Sequence, residues 1–247
     1  MILIMGGTGT YFLDLEAEIG PYDLRTVTTP YGAAGPIAIP RRYGGAIALA
    51  SRHGWGRIEV SPPFVNAHAN IWAAHELGAS TILGWNGVGA INLLLEVHDL
   101  LVLDMVLDFT KTRRRDWTGD GALEPRRGEV EQPFDPTACD ALFRAANAAA
   151  PRVQPYGAYA CSEGPRLETA AEIAAWARMG AEVVGMTLVP EVFLANDLGI
   201  RWASLAYVTN YATGVAPAAG EPRFFGVDVA QRCLRIAIQT AEALSAP

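Results

Sequence analysis

Short apolar runs recur along this chain and alternate with stretches of helical character. Ile2–Met5, Thr81–Trp85, Leu100–Phe109, Gly157–Ser162, Val183–Thr187 and Trp202–Asn210 read as buried strands. Helical segments run from Asn66 to Leu77 with Gly78 behind it, from Pro136 to Ala150, from Thr169 to Met179, from Pro190 to Gly199, and from Gly226 onward. Strands alternating with helices predict a mostly parallel sheet covered on both faces. Residues 22–51 depart from the pattern and read as β-hairpins, at Thr26–Thr29, Gly35–Ile39 and Ala46–Ser51. The expected fold is α/β, with a central, mostly parallel mixed sheet flanked by helices. A chain of 247 residues that is 51% hydrophobic and 18% charged suits one large core, so residues 1–247 are expected to form a single domain.

The net charge of −7 argues against non-specific binding to nucleic acid or to acidic membranes, while leaving room for a small anion in a local pocket. Cys139, Cys161 and Cys233 are too few and too widely spaced for a disulfide framework or a zinc pattern. The apolar start Met1–Met5 lacks a basic flank and is too short for a signal peptide or a membrane span. A reduced, cytoplasmic setting is the expectation.

Several strand ends carry polar punctuation. Gly6-Gly7-Thr8-Gly9 follows the first strand, but Phe12 stands where a dinucleotide fingerprint needs its third glycine. It reads either as an anion-holding turn or as a plain tight turn. Arg52-His53-Gly54 reads as an anion clamp or as a solvated turn. His68 and His75 share a helix face but lack a third ligand, so no metal is expected. Asn86-Gly87-Val88-Gly89-Ala90 offers close backbone approach at a strand end. The loop 111–135 is rich in arginine and reads as a lid, an interface segment or a mobile stretch, with its charge run forming a solvated face. In Tyr159–Glu172, a Gly-Pro turn precedes Thr169, which forms a capping box with Glu172. That holds Glu163, Arg166 and Glu168 just beyond a strand C-terminus, where open α/β sheets bind ligands.

The order of these motifs resembles the trimeric purine nucleoside phosphorylases, and within them the methylthioadenosine phosphorylase branch. The resemblance runs from Gly6 to about Asp228. It is carried by Gly6-Gly7-Thr8-Gly9, Arg52-His53-Gly54, Val65-Asn66 through Ala69-Asn70-Ile71-Trp72-Ala73, Glu163-Gly164-Pro165-Arg166, Glu168-Thr169 with Ala171-Glu172, Gly185-Met186-Thr187 before Val189-Pro190-Glu191, and Thr209-Asn210-Tyr211-Ala212. The resemblance implies attack of inorganic phosphate, as co-substrate, on the anomeric carbon of a purine nucleoside. An oxocarbenium-like transition state needs a placed anion and neutralisation of the leaving base. No metal or organic cofactor is implied. Phosphate would be held by Thr8, Arg52, His53, Asn86, Gly87 and Thr187. Met186 would pack under the ribose, and Leu167, Ala212 and Val227 would also contact the substrate. Asn210 and His53 would make the catalytic contacts. A homotrimer, or a dimer of trimers, is implied, with the loop 111–135 completing a neighbour's site.

The base side is the most informative part of the resemblance. The branch acting on 6-aminopurines carries Asp-Tyr-Asp where this chain has Asn210-Tyr211-Ala212. An Asn amide can donate to a purine O6 and accept from a protonated N7. Glu168 matches the glutamate of 6-oxopurine phosphorylases and can accept from N1–H. Ordinary ribonucleoside phosphorylases bind the 5′-hydroxyl through a C-terminal histidine, whereas the last histidine here is His98 and the region Phe225-Gly226-Val227-Asp228 is largely apolar. An oxo base and an apolar 5′ group together describe S-methyl-5′-thioinosine. Alternatives are 5′-methylthioadenosine or inosine and guanosine as substrate, a phosphate-independent nucleosidase, and a non-catalytic nucleoside-binding protein. Arg57, in place of a second histidine, and the segment Trp85–Ala90 depart from the family on the phosphate side, which leaves phosphate, another anion or water as nucleophile.

Overall fold

The computed structural model describes residues 1–7, 9–57, 59–117, 132–215 and 226–246. In chain order the strands are β1 (Ile2–Gly6), β2 (Tyr22–Thr29), β3 (Gly32–Pro40), β4 (Ile47–Ser51), β5 (Thr81–Ala90), β6 (Leu100–Leu103), β7 (Met105–Asp108), β8 (Val153–Gln154), β9 (Ala158–Cys161), β10 (Val183–Gly185) and β11 (Arg201–Tyr211). The helices are α1 (Leu15–Ile19), α2 (Ala67–Glu76), α3 (Pro136–Ala149), α4 (Ala170–Arg178), α5 (Glu191–Asp197) and α6 (Val227–Ser245). All the described strands join one mixed sheet, with β2-β3-β4-β1-β5-β10-β9-β7 as its main path and β11, β6 and β8 branching from β5.

The helices cover both faces, as the alternation predicts. One core layer joins Leu3, Met5, Ile82 and Trp202 to Ile71 of α2 and Val192 and Leu194 of α5. The opposite layer joins Ile4, Leu83 and Leu205 to Ile19 of α1, Leu142 of α3, and Leu234 and Ile238 of α6. Local signals set the helix starts. Asp135 caps α3 by accepting from Ala138 N, ahead of Pro136. Asn66 caps α2 by accepting from Ala69 N. Thr169 and Glu172 form the expected capping box on α4.

Two expectations are corrected. Leu100–Phe109 is not one central strand. It breaks at Asp104, whose carboxylate accepts from the Gly157 N–H at 3.0 Å, and β6 and β7 then pair with different neighbours. Nor does the strand that begins at Thr81 end before Asn86–Ala90. β5 continues through it because β11 pairs along its full length, and the glycines there sit against side chains of that strand.

This extension creates the feature that positions the site. One edge of β5 pairs with β1 over Thr81–Gly84, and the same edge pairs with β10 only at Gly89–Ala90. Between these stretches β5 has no strand partner on that side. The Trp85 carbonyl points into the gap and accepts from Arg52 Nη1 at 3.1 Å. Backbone groups alternate along a strand, so the Gly87 amide points the same way.

Candidate active site

A cavity of about 350 Å³ opens at the gap, beyond the ends of β10 and β11. Its walls include His53, Gly87, Gly89, Leu167, Glu168, Met186, Thr187, Asn210 and Ala212. The two halves of the expected site, base and phosphate, thus share one space.

On the base side, Glu168 is only 6% exposed, and the Ser162 hydroxyl donates to its Oε1. That bond fixes one carboxylate oxygen. Opposite, β11 bulges at Thr209, so that Val208 faces Val88 while Asn210 faces Gly89. Thr209 Oγ1 donates to Asn210 Oδ1 at 2.7 Å and lies 3.0 Å from the Val88 carbonyl, and Asn210 Nδ2 donates to the Tyr211 carbonyl at 2.7 Å. Each bond uses one of the two positions on its atom, so the amide keeps one N–H and one lone-pair site for a ligand. Glu163 and Arg166, the other charged residues of this loop, are engaged elsewhere. Glu163 accepts from the amides of Lys111 and Thr112 and from Arg113 Nε, while Arg166 pairs with Glu172 at 2.8 Å.

On the anion side, His53 is 4% exposed, and its Nδ1 lies 2.9 Å from the Val60 carbonyl. A carbonyl only accepts, so Nδ1 carries the proton of the neutral ring and Nε2 keeps its lone pair. Burial holds the imidazole pKa down at about 4, with the Val60 contact raising it and the Arg52 charge lowering it further. Thr187 is positioned from behind by Asn86 Nδ2 at 2.6 Å, and its amide donates to the Tyr159 hydroxyl at 3.1 Å.

Three expected contacts are placed differently. The Arg52 guanidinium does not offer a free fork: its Nε bonds both Glu191 oxygens, at 2.8 and 2.6 Å, and Nη1 bonds the Met5 and Trp85 carbonyls. Only Nη2 is left, buried without a partner among the described residues. Burial forces this arrangement, because a guanidinium inside the protein needs a counter-charge. Asn86 is fully buried and does not line the cavity; its side chain reaches Thr187 from the interior. Val227 is also absent from the lining, because α6 begins there with the side chain 41% exposed. Thr8, residues 118–131 of the arginine-rich loop, and Phe225 lie outside the described residues. Gly6 and Gly7 have a packing reason independent of any anion. A Cβ at Gly6 would sit 2.2 Å from Thr10 Oγ1, and one at Gly7 would sit 2.4 Å from the Trp85 carbonyl oxygen.

Arg113 was not expected here. The charge run predicts a solvated face, yet this side chain is 8% exposed and donates to the carbonyls of Glu163, Met186 and Val189 at 2.7–2.8 Å. It ties the Glu163 turn to the strand end that carries Met186 and Thr187. No spacing signal distinguishes it from its neighbours Arg114 and Arg115. Among the described residues, no group of three or more His, Cys, Asp or Glu side chains could hold a metal ion, and no helix is long and apolar enough to cross a membrane.

The sequence profile of the phosphorylase superfamily matches residues 1–243. The chain belongs to this family. Within the phosphorylase superfamily it is 42% identical, over 222 residues, to a Thermococcus kodakarensis protein named "Probable 6-oxopurine nucleoside phosphorylase", covering 87% of this chain and 81% of that one. It is 35% identical, over 218 residues, to a Xanthomonas campestris pv. campestris protein named "Probable S-methyl-5'-thioinosine phosphorylase", covering 88% and 86%. The crystal structure of a methylthioadenosine phosphorylase from an antarctic soil metagenomic library superposes with a TM-score of 0.85 at 30% identity, covering 98% of this chain and 85% of that one. The α/β architecture with a mixed central sheet is therefore that of the nucleoside phosphorylases.

Proposed function

We propose that this phosphorylase cleaves the N-glycosidic bond of a 6-oxopurine nucleoside with inorganic phosphate, acting as a pentosyltransferase. A phosphate oxygen bonds to C1′ as the C1′–N9 bond breaks, and the electron pair of that bond stays with the base. The departing base takes up a proton at N7 from solvent, and the products are the neutral free base and a sugar 1-phosphate. One observation carries the reading: Glu168 and Asn210 line the same cavity as His53, Gly87 and Thr187. Glu168 accepts from the base N1–H. Asn210 donates to O6 and accepts from N7–H as the base departs. Thr187 and the Gly87 amide supply donors to phosphate, and Met186 packs under the ribose. The reading takes phosphate as co-substrate and no organic cofactor or metal.

For the sugar, we take S-methyl-5′-thioinosine as the substrate, which yields hypoxanthine and 5-methylthioribose 1-phosphate. The lack of any histidine after His98 and the Xanthomonas relative's name support this. Inosine or guanosine is the second reading, favoured by the higher identity to the Thermococcus relative. Both share the oxo base. The proposed assembly is a cytoplasmic homotrimer, to be checked by sedimentation. The deciding experiment is a panel of S-methyl-5′-thioinosine, inosine, guanosine and 5′-methylthioadenosine, with and without phosphate. Turnover of the 6-oxo nucleosides to sugar 1-phosphate is expected. Preference for the 6-amino nucleoside rejects the base reading, and full turnover without phosphate rejects phosphorolysis.

A further inference from the structure

We propose that Ser204 and Asn86 are positioning residues that hold the Thr187 hydroxyl in place to donate to the bound anion. The proposal rests on the reading above that Thr187 contacts phosphate.

The three side chains form a line from the interior to the cavity. Ser204 Oγ donates to Asn86 Oδ1 at 2.6 Å, and Asn86 Nδ2 donates to Thr187 Oγ1 at 2.6 Å. Ser204 and Asn86 are both fully buried, and Thr187 lines the cavity. The sense of the line follows from its inner end. The Ser204 hydroxyl has Asn86 Oδ1 as its acceptor, and turning the amide round would leave a hydroxyl proton unsatisfied in a dry interior. The amide nitrogen therefore faces Thr187, and an amide nitrogen can only donate.

Thr187 is also held through its backbone, since its amide donates to the buried Tyr159 hydroxyl at 3.1 Å. The Asn86 amide takes one lone pair of Thr187 Oγ1 from the interior. That contact fixes where the oxygen sits and leaves the hydroxyl proton for an acceptor in the cavity.

The backbone is arranged for the relay. Ser204 pairs with Gly84 and Ala206 with Asn86 across β5 and β11, so Ser204 and Asn86 are diagonal neighbours on one face. A Cβ at Gly84 would sit 3.0 Å from Ser204 Oγ, so glycine there leaves the hydroxyl room to reach Asn86. Asn86 lies in the segment where the sequence departs from the family pattern. The relay gives that departure a function, since a buried amide orients a hydroxyl carried by another strand end.

The test measures binding of inorganic phosphate by calorimetry and its KM at saturating nucleoside. Thr187→Ala is expected to weaken phosphate about 10-fold, and Ser204→Ala about 5-fold, as for loss of one hydrogen bond. The nucleoside KM at saturating phosphate should change by less than about twofold, which a general packing defect would not spare. Because Asn86 acts through Thr187, the Asn86→Ala/Thr187→Ala double variant should match Thr187→Ala alone. Additive losses in that cycle, or unchanged phosphate binding in a folded Ser204→Ala, overturn the relay. If Ser204→Ala does not fold, the Asn86–Thr187 cycle decides alone. Unchanged binding in Thr187→Ala overturns the phosphate contact itself, and the relay with it.

Discussion

Arg52 Nε lies 2.6 Å from Glu191 Oε2, with both side chains withdrawn from water. The pair joins the end of β4 to the start of α5 beneath the cavity. Removing one partner leaves a bare charge inside the protein. Glu191→Ala is expected to cost about 3–5 kcal/mol of stability, whereas replacing both residues by apolar ones of similar volume should cost much less. Urea unfolding of the two variants checks this, and equal losses would contradict it.

Asn210 and Glu168 decide which base fits. Asn210→Asp substitutes an acceptor for the N–H facing O6 and introduces a negative charge. Activity on 6-oxopurine nucleosides should fall by roughly 10- to 100-fold in kcat/KM, with 6-aminopurine nucleosides losing less. Glu168→Gln should fall least on nucleosides whose N1 carries no proton. Competition between S-methyl-5′-thioinosine and 5′-methylthioadenosine measures the shift directly.

His53 imposes a pH dependence on stability. Its folded pKa of about 4 lies below the ordinary 6.5, so the unfolded chain binds the proton more readily. The contribution to stability is complete above pH 6.5 and is lost as pH falls toward about 4. At about 1.4 kcal/mol per pH unit, that window is worth about 3 kcal/mol. Thermal melts of the wild type and His53→Asn across this range should converge at low pH. A parallel decline would show that other groups govern the acid limb.

Arg113 holds carbonyls from two separate wall segments. A lysine ammonium is a point donor and cannot reproduce the planar fork. Arg113→Lys should therefore raise the nucleoside KM several-fold and lower the melting temperature, with the cavity wall at Met186 the first part to loosen. Hydrogen exchange at residues 185–188 reports that loosening. Unchanged exchange would place the effect elsewhere.

The strand and helix alternation was legible because periodicity and capping are local. The capping box at Thr169 and the helix starts at Asn66 and Pro136 need no tertiary information. Glu168 and Asn210 were legible only through the resemblance, since each alone reads as an ordinary loop or strand-end residue. Counting by twos from Val208 assigns Asn210 to the core face, and the bulge at Thr209 that reverses this leaves no mark in the sequence. The burial of Arg52 and Arg113 is hidden from the sequence for a related reason. Their partners, Glu191 and the carbonyls near Met186, are far away in the chain, and arginine type says nothing about burial. Asn86 stands where the resemblance assigns phosphate binding, but its neighbours in sequence do not show that its side chain turns inward to Ser204.

Three glycines of β5 stand opposite three polar side chains of β11: Gly84 against Ser204, Gly87 against Tyr207, and Gly89 against Asn210. A Cβ at Gly87 would come within 3.0 Å of the Tyr207 hydroxyl, and one at Gly89 within 3.3 Å of Asn210 Nδ2. For an evolving lineage this makes β5 a one-way position. Every substitution of a glycine adds atoms, so drift along this strand can only narrow the site. Descendants that accept bulkier substrates must acquire that breadth at Leu167, at Met186 or in the loops, where a side chain can still be made smaller.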